Sequence, residues 1–295
     1  MKKLFLSLLF IIVLSSFTMA ESFGLPMVSD FDGDGRADLS VFRPSDGTWY
    51  LQRSTLGFTA IQFGISSDKI VPADYDGDQK TDIAVFRPSN GVWYIQRSRG
   101  GLIEIPFGDI NDIPLPANYV GDGRADIAVF RPSNGTWYIY NLANNQFTAF
   151  QFGQAEDVPV PADYDGDGKA DIAVFRNGIW YMQRSKDGFT GIQFGQVGDT
   201  PIPGYYDTLD GKADLAVFRP GNGVWYMLRS TEGFTGMQFG LSTDKPVPTD
   251  YDGDGQTDIA VYRNGTWFLQ SSQLGFTAFE FGNTTDKPVP TAFIP

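Results

Sequence analysis

Six acidic clusters recur along this chain, and their composition suits hard-cation chemistry. They read DFDGDGRAD (Asp30 to Asp38), DYDGDQKTD (Asp74 to Asp82), NYVGDGRAD (Asn118 to Asp126), DYDGDGKAD (Asp163 to Asp171), YYDTLDGKAD (Tyr205 to Asp214) and DYDGDGQTD (Asp250 to Asp258). In the unbroken copies, acids stand at positions 1, 3, 5 and 9. Carboxylates this close repel one another unless a cation lies between them. Ca²⁺ takes about six to eight oxygens at about 2.3–2.6 Å, which a tight loop of alternating Asp can supply, whereas Mg²⁺ keeps more of its water. A glycine at position 6 lets the loop turn sharply, and the carbonyl at position 7 is the usual further ligand.

Four copies are complete, so about four Ca²⁺ sites are expected. Their ligands are Asp30, Asp32, Asp34, Arg36 (carbonyl) and Asp38; Asp74, Asp76, Asp78, Lys80 (carbonyl) and Asp82; Asp163, Asp165, Asp167, Lys169 (carbonyl) and Asp171; and Asp250, Asp252, Asp254, Gln256 (carbonyl) and Asp258. Gln79 takes the glycine position of the second copy. The third copy has Asn118 and Val120, leaving Asp122 and Asp126. The fifth has Tyr205 and an insertion at Thr208–Leu209, leaving Asp207, Asp210 and Asp214. These two are expected to be weak or empty. Asp and Gly also suit plain turns, but four copies on a regular period favour an ion-binding loop. An EF-hand is excluded because position 12 is Val41, Val85, Val174 or Val261, where that motif needs Glu.

The elements that must carry these loops follow from the period. Tryptophans stand at 49, 93, 137, 180, 225 and 267, and Phe-Gly pairs end at 64, 108, 153, 195, 240 and 282. Each unit of about 44 residues holds four short β-forming runs joined by tight turns. In the second unit these are IVPAD, DIAVFR, VWYIQRS and LIEIPFG, with PSNG as a turn. No window has helical periodicity. Four strands repeating at this length predict an all-β fold, a β-propeller of six four-stranded antiparallel blades. A β-solenoid fits the hairpin turns less well. Both chain ends carry a first-strand-like segment, FGLPMVSD and FGNTTDKPVPTAFIP. One of them is expected to complete the ring, and a seven-bladed ring is the alternative.

The remaining bounds come from composition. The chain has 295 residues, 35 acids against 22 bases, and neither His nor Cys. The acidic balance argues against a nucleic-acid partner, since phosphate recognition wants basic patches. Residues 1–20 read as a secretory signal peptide, with Lys2 and Lys3 before an apolar run and a small-residue cut after Ala20. That predicts a secreted, periplasmic or cell-surface protein with no membrane span, in which residues 21–295 form one domain. The expected oligomeric state is a monomer.

The D-x-D-G-D-G-x-x-D loop between strands, closed by FG, resembles the FG-GAP or VCBS repeats of integrin-α-type propellers and exported bacterial proteins. The VFRPSNGTWY element is similar to the bacterial version. The resemblance implies a calcium-carrying β-propeller used in adhesion or ligand recognition. Integrin-type propellers have seven blades, and six units depart from that.

Two functional readings follow. Topology places the acidic loops and the third-to-fourth strand turns on one face, leaving the other free for a glycan or protein ligand. The recurrent pairs Arg43 and Trp49, Arg87 and Trp93, Arg131 and Trp137, Arg176 and Trp180, Arg219 and Trp225, and Arg263 and Trp267 flank the turns of that face. They are either a lectin-like ring of sites or repeated packing between blades. Without His there is no Ser-His-Asp triad, so a non-enzymatic binding or adhesion module is expected. A structural surface or matrix protein and a calcium-assisted polysaccharide lyase are the alternatives. The lyase would need one pocket holding a non-repeated Lys or Arg.

Overall fold

The fold is taken from a computed structural model that describes residues 29–207 and 210–292. The signal-peptide expectation and most of the N-terminal strand-like segment lie outside the described residues, as do Thr208 and Leu209. Among the described residues the strands run in chain order and fall into six sheets.

The first blade holds β1 (Leu39–Arg43), β2 (Thr48–Arg53) and β3 (Gly57–Gln62). The second holds β4 (Lys69–Ile70), β5 (Ile83–Arg87), β6 (Val92–Arg97) and β7 (Gly101–Pro106). The third holds β8 (Ile113–Pro114), β9 (Ile127–Arg131), β10 (Thr136–Tyr140) and β11 (Phe147–Gln151), and the fourth β12 (Val158–Pro159), β13 (Ile172–Arg176), β14 (Ile179–Arg184) and β15 (Gly188–Gln193). The fifth holds β16 (Thr200–Pro201), β17 (Leu215–Arg219), β18 (Val224–Arg229) and β19 (Gly233–Gln238), and the sixth β20 (Lys245–Pro246), β21 (Ile259–Arg263), β22 (Thr266–Ser271) and β23 (Gly275–Glu280). The last strand, β24 (Lys287–Pro288), pairs antiparallel with β1 through Val41–Pro288 and Phe42–Lys287. The ring therefore has six blades, and the C-terminal copy of the first-strand segment completes the first.

Each blade is an antiparallel meander whose two-residue strand is innermost. Proline limits that strand, because it cannot donate to a ladder. The next strand is buried on both faces, as in Ile83, Ala84, Val85 and Phe86, because neighbouring blades pack against each side. One core cluster joins Val71, Ala84 and Trp93 of the second blade to Ile127 and Val129 of the third. The outermost strands are largely exposed.

The recurrent tryptophans are the centres of this packing. Trp93 is 0% exposed, packs against Phe86 with ring centroids 5.5 Å apart and planes tilted by 50°, and donates its Nε1–H to the Phe107 carbonyl at 2.8 Å. The same carbonyl belongs to the Phe-Gly pair, whose Phe107 N–H donates to the Gly91 carbonyl. Gly91 has φ +66°, and a Cβ there would strike the Gly108 carbonyl oxygen. The Asn-Gly turn and the Phe-Gly motif are thus two halves of one backbone clasp.

Candidate metal sites and the two rings of aspartate

Each acidic loop links an innermost strand to the next strand. Asp163 at position 1 accepts N–H groups from Gly166, Asp167 and Gly168 at 2.6, 3.2 and 2.8 Å. Asp171 at position 9 accepts the Tyr164 and Ser185 N–H groups at 2.9 and 2.7 Å. Asp167 at position 5 accepts the Lys169 N–H and the Ser185 hydroxyl. Asp165 at position 3 uses only Oδ2, which accepts from Lys186 and Asp187 in the third-to-fourth strand turn. That turn lies against the acidic loop, as the topology predicts.

The other oxygen of position 3 is the telling atom. Asp32 Oδ1, Asp76 Oδ1, Asp165 Oδ1 and Asp252 Oδ1 are buried and have no hydrogen-bond partner. These are the four complete copies. Carboxylate oxygens converge within 4.8 Å in the sets Asp30, Asp32, Asp38; Asp74, Asp76, Asp78; Asp163, Asp165, Asp167; and Asp250, Asp252, Asp254. A buried anionic oxygen without a donor is costly unless a cation meets it, and an all-oxygen set suits a hard ion. Burial and the neighbouring carboxylates also push the position-9 acids up, Asp38 and Asp171 to about 7, Asp82 and Asp258 to about 6.

The irregular copies are organised differently. Asn118 reproduces the position-1 role, accepting from Gly121 and Asp122, but Val120 supplies no oxygen. Asn141, one position before the serine of the other units (Leu142 stands at that position here), takes over the serine's partners: it is buried and donates Nδ2–H to both Asp122 and Asp126, at 3.0 and 2.8 Å. A neutral donor stands between two carboxylates there. In the fifth copy Asp207 takes the position-3 role, accepting from the Thr231 N–H and hydroxyl. Asp214 accepts from Tyr206, Asp207 and Ser230, and Asp210 accepts the Lys212 N–H. In the second copy Gln79 adopts φ +66° and still donates its N–H to Asp74 at 2.8 Å.

The loops are joined in a ring. The position-8 N–H of each loop donates to the position-1 carbonyl of the loop before it. The pairs are Ala37 to Asp250, Thr81 to Asp30, Ala125 to Asp74, Ala170 to Asn118, Ala213 to Asp163 and Thr257 to Tyr205, all at 2.7–2.8 Å. The position-7 side chains of Lys80 and Arg124 lie across Gly33 and Gly77 of the preceding loops.

The opposite face carries clamps of its own. Six further aspartates, one in each blade crossing, meet the recurrent arginines: Asp286 with Arg43, Asp68 with Arg87, Asp112 with Arg131, Asp157 with Arg176, Asp199 with Arg219 and Asp244 with Arg263. Each pair is two-pronged, Nε and Nη2 to the two carboxylate oxygens. The arginines lie 4.2–4.9 Å over Tyr50, Tyr94, Tyr138, Tyr181, Tyr226 and Phe268. These rings follow the tryptophans in sequence. Of the two readings of the tryptophans, the burial of Trp49, Trp93, Trp137, Trp180, Trp225 and Trp267 at 0% exposure matches packing between blades, and they offer no face to a ligand. Their register in the strands turns them inward. The second aspartate ring was legible as the repeated D-x-P-V-P pattern, which the acidic loops overshadowed.

Comparison with known proteins agrees with this architecture. The model of the FG-GAP-like repeat matches residues 30–85 and 118–174. No curated protein matches the chain. Among solved structures it is similar to an Agrocybe aegerita lectin described as recognising non-reducing terminal N-acetylglucosamine, with 16% identity and TM-score 0.54 over 90% of this chain and 81% of that one. It is similar to virginiamycin B lyase from Staphylococcus aureus, with 8% identity and TM-score 0.54 over 89% of each chain. It also resembles PorZ, a surface component of the type-IX secretion system of Porphyromonas gingivalis, with 12% identity and TM-score 0.51 over 90% of this chain but 34% of that one. A lectin, a lyase and a secretion component share this shape, so the likeness establishes fold alone. Among the described residues no helix is long and apolar enough to cross a membrane. Six blades, each closed by its Phe-Gly clasp, make the chain a six-bladed β-propeller, and residues 30–85 and 118–174 of it match the FG-GAP-like repeat.

Proposed function

We propose that this propeller is an exported, monomeric, calcium-stabilised binding module that takes a glycan or protein ligand on the face away from the acidic loops, without catalysis. The observation that carries the calcium reading is the single orphaned Oδ1 at position 3, present in all four complete loops. Asp30, Asp32, Asp34 and Asp38, and their counterparts, would hold the ion. The non-catalytic reading rests on the absence of His and Cys and on the engagement of the repeated aspartates in loops or in arginine clamps.

Extracellular calcium modules have Kd values of about 10⁻⁴ to 10⁻³ M. At tenfold excess over Kd each site adds about 1.4 kcal/mol, so four add roughly 5–6 kcal/mol. That is comparable with the whole stability of many domains, about 5–15 kcal/mol. Calorimetric titration with Ca²⁺ and thermal unfolding in EDTA and in calcium test the reading. About four equivalents and a large upward shift in Tm are expected; no heat and no shift would overturn it. A glycan array in calcium buffer then tests the ligand class.

A further inference from the structure

The innermost strands open on the face of the arginine clamps, and their first residues are not equivalent. The second, sixth and first blades contribute Lys69, Lys245 and Lys287, whereas the third, fourth and fifth contribute Ile113, Val158 and Thr200. The mouth of the central channel is therefore cationic along one arc and largely apolar along the other. A cavity of about 350 Å³ lies there. Lys69 and Lys287 bound one side and Ile113, Leu115 and Val158 another, with Thr291 and Ala292 of the short turn after β24 also lining it.

Among the described residues neither lysine forms an ion pair. The aspartates nearest them in sequence, Asp68 and Asp286, are already taken by Arg87 and Arg43. Asp157, which also lines the cavity, is taken by Arg176. Lys69 is half-buried and donates one N–H to the Asp112 carbonyl at 2.9 Å, which leaves two donors of its ammonium unassigned. Burial lowers its pKa, the condition a bound anion relieves. A chain with net charge −13 thus keeps two lysines at the edge of an apolar hollow of ligand size, Lys69 facing only the Asp112 carboxylate that Arg131 already clamps.

We propose that this cavity binds a small apolar carboxylate, its head on Lys69 and Lys287 and its body against Ile113, Leu115 and Val158. The site is independent of the acidic loops and lies across the ring from them.

Calorimetry with octanoate tests this, with octan-1-ol and octylamine as neutral and cationic isosteres, in a fixed calcium concentration on the intact protein. One octanoate is expected to bind about tenfold or more tighter than octanol, as charge-assisted hydrogen bonds imply. The Lys69→Met/Lys287→Met variant should bring octanoate down to the octanol level, and Lys287→Met alone, at an exposed position, should weaken it at least about threefold. Lys245→Met, outside the cavity, should change affinity by less than about twofold, and Val158→Trp should abolish binding of all three probes. Equal affinity for octanoate and octanol, no binding at millimolar concentration, or octanoate affinity unchanged in Lys287→Met would each overturn the proposal.

Discussion

Replacing Asp165 by Asn separates a cation site from a merely acidic turn. Asp165 is 2% exposed. Its Oδ2 accepts two backbone N–H groups at 2.9 Å, and an amide oxygen can keep both. Its Oδ1 has no donor, and an amide nitrogen there would face the Asp163 and Asp167 carboxylates, much as Asn141 faces Asp122 and Asp126 in the third loop. In EDTA the variant should therefore be more stable than the parent, by about 1–2 kcal/mol, the cost of one unsatisfied buried group. In 10-fold to 100-fold excess calcium the parent gains about 1.4–2.7 kcal/mol at this site, and the variant does not. Its advantage should shrink to nothing or reverse. The measured quantity is the difference between the two conditions, about 3–10 °C in Tm at about 2–4 °C per kcal/mol. A variant that shifts Tm equally in EDTA and in calcium would falsify the assignment of Oδ1 to a cation.

Three further outcomes are expected. Arg87→Met leaves the buried Asp68 carboxylate without its guanidinium and should cost about 2–4 kcal/mol in chemical denaturation, somewhat below a fully buried pair because Arg87 is 23% exposed; a loss under about 1 kcal/mol would show the clamp to be ornamental. The triple change Asn118→Asp, Val120→Asp and Asn141→Ser restores the acids of the third loop and removes the amide that bridges Asp122 and Asp126, and should raise the calcium stoichiometry by one in calorimetry. The position-9 carboxyls are pushed above their ordinary value of 3.8, to about 7 at Asp38 and Asp171 and to about 6 at Asp82, Asp126, Asp214 and Asp258, chiefly by burial and further by neighbouring carboxylates. Between about pH 4 and 7 the folded, cation-free chain thus holds protons that the unfolded chain has released. Its stability must fall as pH rises through that window, whereas calcium, which takes the deprotonated form, should stabilise more at the upper end. A Tm in EDTA that climbs from pH 4.5 to 7 would contradict these shifts.

Much of the architecture was legible because the repeat is nearly literal. Six tryptophans and six Phe-Gly pairs count six units, though not how the ring closes, and the alternating Asp residues mark the loops. The inequality of the loops was also readable, since Val120 and the insertion at Thr208–Leu209 remove ligands or break the spacing. The role of the arginines was harder. Their partner aspartates lie about 20 residues away in the crossing that enters the blade, or at the opposite end of the chain for Arg43 and Asp286. The role of Asn141 depends on Asp122 and Asp126, 19 and 15 residues before it, which only the fold brings to its amide.

The sequence by itself determined the local chemistry: four strands per unit, glycine where the backbone must turn left-handed, and oxygen ligands gathered within nine residues. These are short-range matters of sterics, propensity and charge. The tertiary structure alone decided how the ring closes, because β24 and β1 are far apart in the chain and meet only after all six blades have turned the circle. It also decided that the tryptophans are core and the arginines clamps, since strand register sets which face is buried. The lysine-edged hollow belongs to the same class of result: no single repeat contains it, and it exists only where blades whose innermost strands differ are brought around one axis.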